Sequence, residues 1–249
     1  MRPGSPSVNA SAEMAAADAT PIRSRLCRAE ALLAQEGEAA PPLLDDNAAL
    51  RGEARRLRSP VEAVAGRHYG RLPHVGYRRG LEARLMGPWS QYLTLGVGLS
   101  RVVRMTSWKA SRPAIPTVLA HELAHRFGFD ESLTTLRGLE VSARLAEQGD
   151  PMHQVSARLE LARLLLGAAM GDALRAGASG EIDAFFQARA DQPAIARPRQ
   201  QWGRVKGRKL PDWSLTVYSE IPCASIEAAR QLGRSVSGHL AYPHFPIDS

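Results

Sequence analysis

The tightest constraint on this chain lies between Pro116 and Gly128, where His121-Glu122-Leu123-Ala124-His125 occupies a segment that begins with proline and stops at glycine. Proline suits the first turn of a helix, where its missing N–H is not needed, and glycine suits the left-handed residue that ends one. The spacing predicts a helix from about Ile115 to Phe127. Residues four apart share a helical face, so His121 and His125 fall side by side with Glu122 beside the first. Leu119, Leu123 and Phe127 fall towards the other face. Two neutral imidazoles at that spacing can hold one Zn²⁺ from the same side, and an adjacent carboxylate can take a proton from a water activated there.

A hydrolytic zinc site takes three protein ligands and leaves a position open for water. Glu131 is the preferred third ligand. The string reads His-Glu-x-x-His-x-x-Gly-x-x-Glu, and a glycine free to adopt positive φ lets the chain turn back sharply. Glu140 competes for the same role: on the following helix it falls at the edge of a stripe of Leu133 and Leu136 and points partly inward. The expected metal set is therefore His121, His125 and Glu131, with Glu122 as the catalytic base. Tyr218, His153 and His239 are open alternatives for a donor to the oxyanion. The blander reading is an amphipathic helix whose histidines and glutamate are merely solvated.

The run Ile115-Pro116-Thr117-Val118-Leu119-Ala120-His121-Glu122-Leu123-Ala124-His125-Arg126-Phe127-Gly128-Phe129-Asp130-Glu131 resembles the core of bacterial zincin-like metallopeptidases. In particular it is similar to a family in which a Pro-led helix ends in His-Glu-x-x-His-x-x-Gly-Phe and an Asp-Glu pair opens the next helix. The resemblance reaches from Ile115 to about Gln148. It implies a zincin fold, zinc ligands at His121 and His125, and a catalytic Glu122. At the place of Glu131 metzincins carry a third ligand that is normally His or Asp, so this chain departs from that pattern.

The rest of the chain frames this core. Of 249 residues 44% are hydrophobic and only 6% aromatic, with Ala, Leu and Arg abundant. That is enough to bury a sizeable core and favours helices over a β-sandwich. The expected fold is α+β and mainly helical, a zincin-like domain with one or two short strands, Tyr92–Val97 and Arg101–Met105, before the motif helix. The expected organisation is a disordered leader over 1–20, a helical N-terminal subdomain over 21–68, a catalytic core over 69–192, and a basic connector and extension over 193–249.

Two widely spaced cysteines, Cys27 and Cys223, make no disulfide framework. With no apolar run long enough to span a bilayer and no apolar signal core at the N-terminus, the expectation is a cytoplasmic protein. The formal charge of +7 permits acidic partners without establishing one. Arg197 to Lys209 holds six basic residues around Trp202. That run is read first as a solvated loop with one packed Trp, and second as a nucleic-acid contact. The leading function is a zinc-dependent metallopeptidase acting on a peptide or protein. The alternative is a non-catalytic basic binding or scaffold protein that keeps a degenerate form of the fold.

Overall fold

The structure, a computed structural model, describes residues 8–34, 43–77, 92–95, 102–105, 109–128 and 131–206. Its elements are α1 (Val8–Leu33), α2 (Asn47–Ala65), β1 (His74–Tyr77), β2 (Tyr92–Leu95), β3 (Val102–Met105), α3 (Ile115–Ala124), α4 (Glu131–Glu147), α5 (Pro151–Ala176), α6 (Gly180–Ala188) and α7 (Ala196–Val205). The fold is α+β and mainly helical. Among the described residues no helix is long and apolar enough to cross a membrane. The chain divides into two units, one within Met1–Gln35 and Ala162–Cys223, the other within Glu36–Leu161 and Ala224–Ser249. The division between Leu161 and Ala162 falls inside α5.

Several local expectations change. α1 begins at Val8, so residues 8–20 are helical where an unstructured leader was expected. Ala10, Ala12, Ala15, Ala16, Ala17 and Ala19 give that stretch the best intrinsic helix propensity there is. Ser59-Pro60 has the pattern of a helix start, yet α2 runs through it, because Val61 and Val64 continue the buried stripe of Leu50, Ala54 and Leu57. α7 lies within the expected connector. Its Pro198 sits in the first turn, where a missing N–H breaks no helical bond. Leu215–Tyr218, whose pattern reads as a short strand, and Ile226–Leu232, whose pattern reads as a helix, lie outside the described residues.

In the second unit Asp46 caps α2, its carboxylate accepting from the N–H groups of Ala48 and Ala49, both at 2.7 Å. The strand region holds three strands in the order β1-β3-β2. β2 and β3 fall in the two runs expected to be strands and pair antiparallel, Tyr92 opposite Met105 and Leu95 opposite Val102. β1, parallel to β3 with His74 opposite Val102, was not expected. Its sequence His-Val-Gly-Tyr is short and carries a glycine, which weakens a strand pattern. α2 packs on β1, and α3 packs on β2, β3, α2 and α4. The core between these elements is built from Leu57, Val75, Val103, Met105, Leu119 and Leu123. Each such side chain, fully buried, contributes about 1.5–3 kcal/mol.

One polar network crosses this core. His153 of α5 is 0% exposed. Its Nε2 lies 2.9 Å from Glu53 of α2 and its Nδ1 2.9 Å from the hydroxyl of Ser142 on α4. Arg56 holds both oxygens of Glu53 at 2.8 Å and also pairs with Asp150. Asp150 in turn accepts from the N–H groups of Met152 and His153 at the start of α5. Burial pushes Glu53 up, but its bonds to His153 and Arg56 outweigh that and hold it below the ordinary value of 4.5. A carboxylate whose folded value is depressed contributes stability that is present above the unfolded value and lost as pH falls through the folded one. The stability advantage of wild type over Glu53→Gln, about 1–3 kcal/mol near neutrality, is therefore expected to shrink below about pH 4.5, as followed by urea unfolding across pH.

α4 comes close to α3 at Gly138. A Cβ there would stand 2.9 Å from the backbone nitrogen of His121 and 3.1 Å from its Cα. On an exposed helix surface Gly→Ala gains up to about 1 kcal/mol. Here the contact is with backbone, and overpacking costs about 1–3 kcal/mol. Gly138→Ala is expected to lower the denaturation midpoint, whereas Gly52→Ala on α2, with open space around its Cβ position, is expected to raise it.

Candidate metal centre

The motif helix is built as its punctuation predicts. Pro116 stands in the first turn of α3, and after Ala124 the chain tightens into one 3-10 turn over His125–Phe127. Gly128 then takes a left-handed φ of 76°, its N–H bonded to the carbonyl of His125 at 3.0 Å. The last carbonyls of a helix have no partner within it. Two are met from the segment after α2: the Tyr69 hydroxyl donates to the carbonyl of Leu123, and Arg67 donates to that of Phe127 at 3.2 Å. The Tyr69 ring packs on Phe127 with centroids 4.7 Å apart, and burial pushes its phenol above the ordinary range.

α3 is not a solvated helix. Every residue from Ile115 to Ala120 is buried, as are Leu123 and Ala124, and Glu122 is only 5% exposed. His121 and His125 are half-buried. The one-sided amphipathic helix expected from the spacing is thus covered on nearly all sides. That removes the reading in which His and Glu sit on a water-facing surface by chance.

The two histidines meet through the same atom. Nε2 of His121 and Nε2 of His125 are 3.0 Å apart, and the rings stand edge to face with centroids separated by 4.7 Å. Two nitrogens on one tetrahedral zinc, each bonded at about 2.0–2.1 Å, are about 3.4 Å apart. The pair is within a few tenths of an ångström of that spacing and presents the nitrogen type that zinc takes. The remaining nitrogens face α4: Nδ1 of His125 lies 3.4 Å from the Thr134 hydroxyl, and Nδ1 of His121 lies 3.3 Å from that of Thr135. The donor set fits two ligands of a zinc ion, His121 and His125.

The expected third ligands fare differently. Glu131 opens α4, but its side chain lies outside the described residues, as does all of Asp130. Glu140 is buried with its two oxygens held by Arg137 at 2.7 Å and Arg144 at 2.5 Å. Its inward direction is explained by that double ion pair. Among the described residues no three His, Cys, Asp or Glu side chains come together as a metal group. Of the open alternatives for an oxyanion donor, His153 is committed to the buried bonds with Glu53 and Ser142. Tyr218 and His239 lie outside the described residues.

Four residues of this centre escape motif reasoning: Tyr69, Thr134, Thr135 and Gly138. Only Gly138 carried a signal, since glycine inside a helical pattern is unfavourable and marks a close approach. In the first unit, Trp202 is 3% exposed and donates its indole N–H to Asp183 at 2.8 Å. The aromatic in the basic run is therefore a packing anchor and offers no face for stacking a base. Arg208 and Lys209 of that run lie outside the described residues. No family model, curated protein or solved structure matches the chain.

Proposed function

We propose that this chain is a zincin-like, zinc-dependent metallopeptidase that hydrolyses a peptide bond in a peptide or protein. The observation that carries the reading is the convergence of the His121 and His125 Nε2 atoms to 3.0 Å beside a buried Glu122. His121 and His125 would hold the metal. A zinc ion so held supplies Lewis acidity, polarising a substrate carbonyl and acidifying water. Glu122 takes the proton from the attacking water and delivers it to the leaving amine. Its burial excludes bulk water from that exchange and strengthens its interaction with a charged partner. Glu131, which opens the helix after the Gly128 turn, is the residue we assign as third ligand.

A second reading, suggested by the formal charge of +7, is a basic binding or scaffold protein that retains the helix pair without the chemistry. Metal analysis by mass spectrometry separates the two. About one zinc per chain is expected in wild type and in Glu122→Gln, and none in His121→Ala, as follows from loss of one of three ligands. Glu122→Gln is expected to lower cleavage of a peptide library by at least about 10²-fold, in line with removal of a general base. Wild type that binds no zinc when zinc is supplied refutes the peptidase and leaves the scaffold.

A further inference from the structure

We infer that Thr134 and Thr135 fix the tautomers of His125 and His121, holding the ring proton on Nδ1 in each so that both Nε2 lone pairs face one point. The inference rests on the reading of His121 and His125 as zinc ligands and adds the residues that make them so. A neutral imidazole carries one N–H, and whichever nitrogen bears it cannot bind metal. What decides is the group that faces the other nitrogen.

Three features of α4 address this choice. Thr134 and Thr135 each approach a different ring, and both approaches are to Nδ1, at 3.4 and 3.3 Å, the outer edge of hydrogen-bond range. Both hydroxyls are withdrawn from solvent, Thr134 being 0% exposed and Thr135 6%, so bulk water does not stand in for them. A threonine within a helix commonly gives its hydroxyl proton to the carbonyl four residues back. An oxygen used in that way turns its lone pairs to the ring and accepts from Nδ1–H.

Gly138 supplies the reach. It lies four residues after Thr134 and three after Thr135, hence on the same face of α4. With no side chain it lets the α4 backbone approach that of His121 to a distance at which a Cβ would stand 2.9 Å from the His121 nitrogen. A threonine side chain is two bonds long from Cα to Oγ1. At a wider helix separation its hydroxyl would fall short of a ring nitrogen.

Thr134 and Thr135 are thus positioning residues, acting on zinc through the imidazoles. Their role is read on the full chain, ¹⁵N-labelled and stripped of metal with a chelator, from long-range ¹H–¹⁵N correlations of the histidine rings at mildly alkaline pH. Wild type is expected to show Nδ1–H in both His121 and His125. Thr135→Val is expected to move His121 to a tautomer mixture and Thr134→Val to do the same to His125, while Thr→Ser at either position keeps the wild-type pattern. Zinc affinity, by competition with a chromophoric chelator, is expected to fall about 10–100-fold in the valine variants and to recover in the serine ones.

An Nε2–H tautomer in wild type at either residue overturns the inference, and that measurement needs no variant to fold. Valine variants that fold with both tautomer and affinity unchanged overturn it as well. Threonine-dependent Nδ1–H tautomers in a wild type that binds no zinc would leave the tautomer assignment standing and refute the metallopeptidase instead.

Discussion

The close approach of α4 to α3, backbone against backbone at Gly138 and His121, is the contact on which the rest of the candidate centre depends. The chain must run along α3, stop, reverse and return within a few residues. Gly128 makes the reversal by adopting a left-handed φ of 76°, and Gly138 makes the return tight. Between them the two helices become an antiparallel pair in which His125 meets Thr134 and His121 meets Thr135. The ring geometry is therefore a property of two helices in register and not of the five-residue motif alone. Tyr69 and Arg67 secure the far end of α3 by donating to the carbonyls of Leu123 and Phe127.

Burying charge around such a pair demands compensation, and the second unit provides it with bonds counted residue by residue. A carboxylate in a core is tolerated only when hydrogen-bonded or ion-paired. Glu53 lies in the apolar stripe of α2 and is answered by Arg56 on its own helix and by His153, which in turn meets Ser142. Through these groups the network ties α4 to α2 and α5. Glu140 is answered within α4 itself, by arginines one turn before and one turn after it. The two carboxylates look alike in sequence, each an acid at the edge of an apolar stripe. Only the surrounding elements reveal that one ties three helices together and the other is satisfied within its own.

What was legible in the sequence was local. The ends of α3 and its reversal follow from Pro116 and Gly128, the cap of α2 from Asp46, and the strands β2 and β3 from their β-branched residues. These depend on a few neighbours along the chain, where propensity and capping chemistry act. What was not legible depends on residues far away in sequence. Pro60 reads as a helix boundary until the burial of Val61 and Val64 carries α2 past it. β1 is too short to announce itself and exists because β3 pairs with it. The grouping of α1 with the second half of the chain rests on pairs such as Arg25 with Asp172 and Glu30 with Arg189, whose separations no periodicity encodes.

The same distinction bears on charge. The formal charge of +7 is an excess that internal ion pairs cannot cancel, but several guanidinium groups are engaged within the fold. In the structure Arg25, Arg56, Arg58, Arg137, Arg144, Arg175 and Arg189 all pair with carboxylates of their own unit. Trp202, the aromatic that would make a basic run into a base-stacking platform, is buried against Asp183. Arg58, Arg137, Arg144 and Arg175 pair along one helix. Arg25, Arg56 and Arg189 reach another segment of their unit. These are roles that a long apolar stem and forked head suit better than lysine's point charge. The feature that most distinguishes this chain is the pair of Nε2 atoms drawn together on α3 at 3.0 Å, close enough to share a proton or, on the proposed reading, a cation. Short, buried hydroxyls stand behind each ring, so the pair is positioned by α4 as well as by α3.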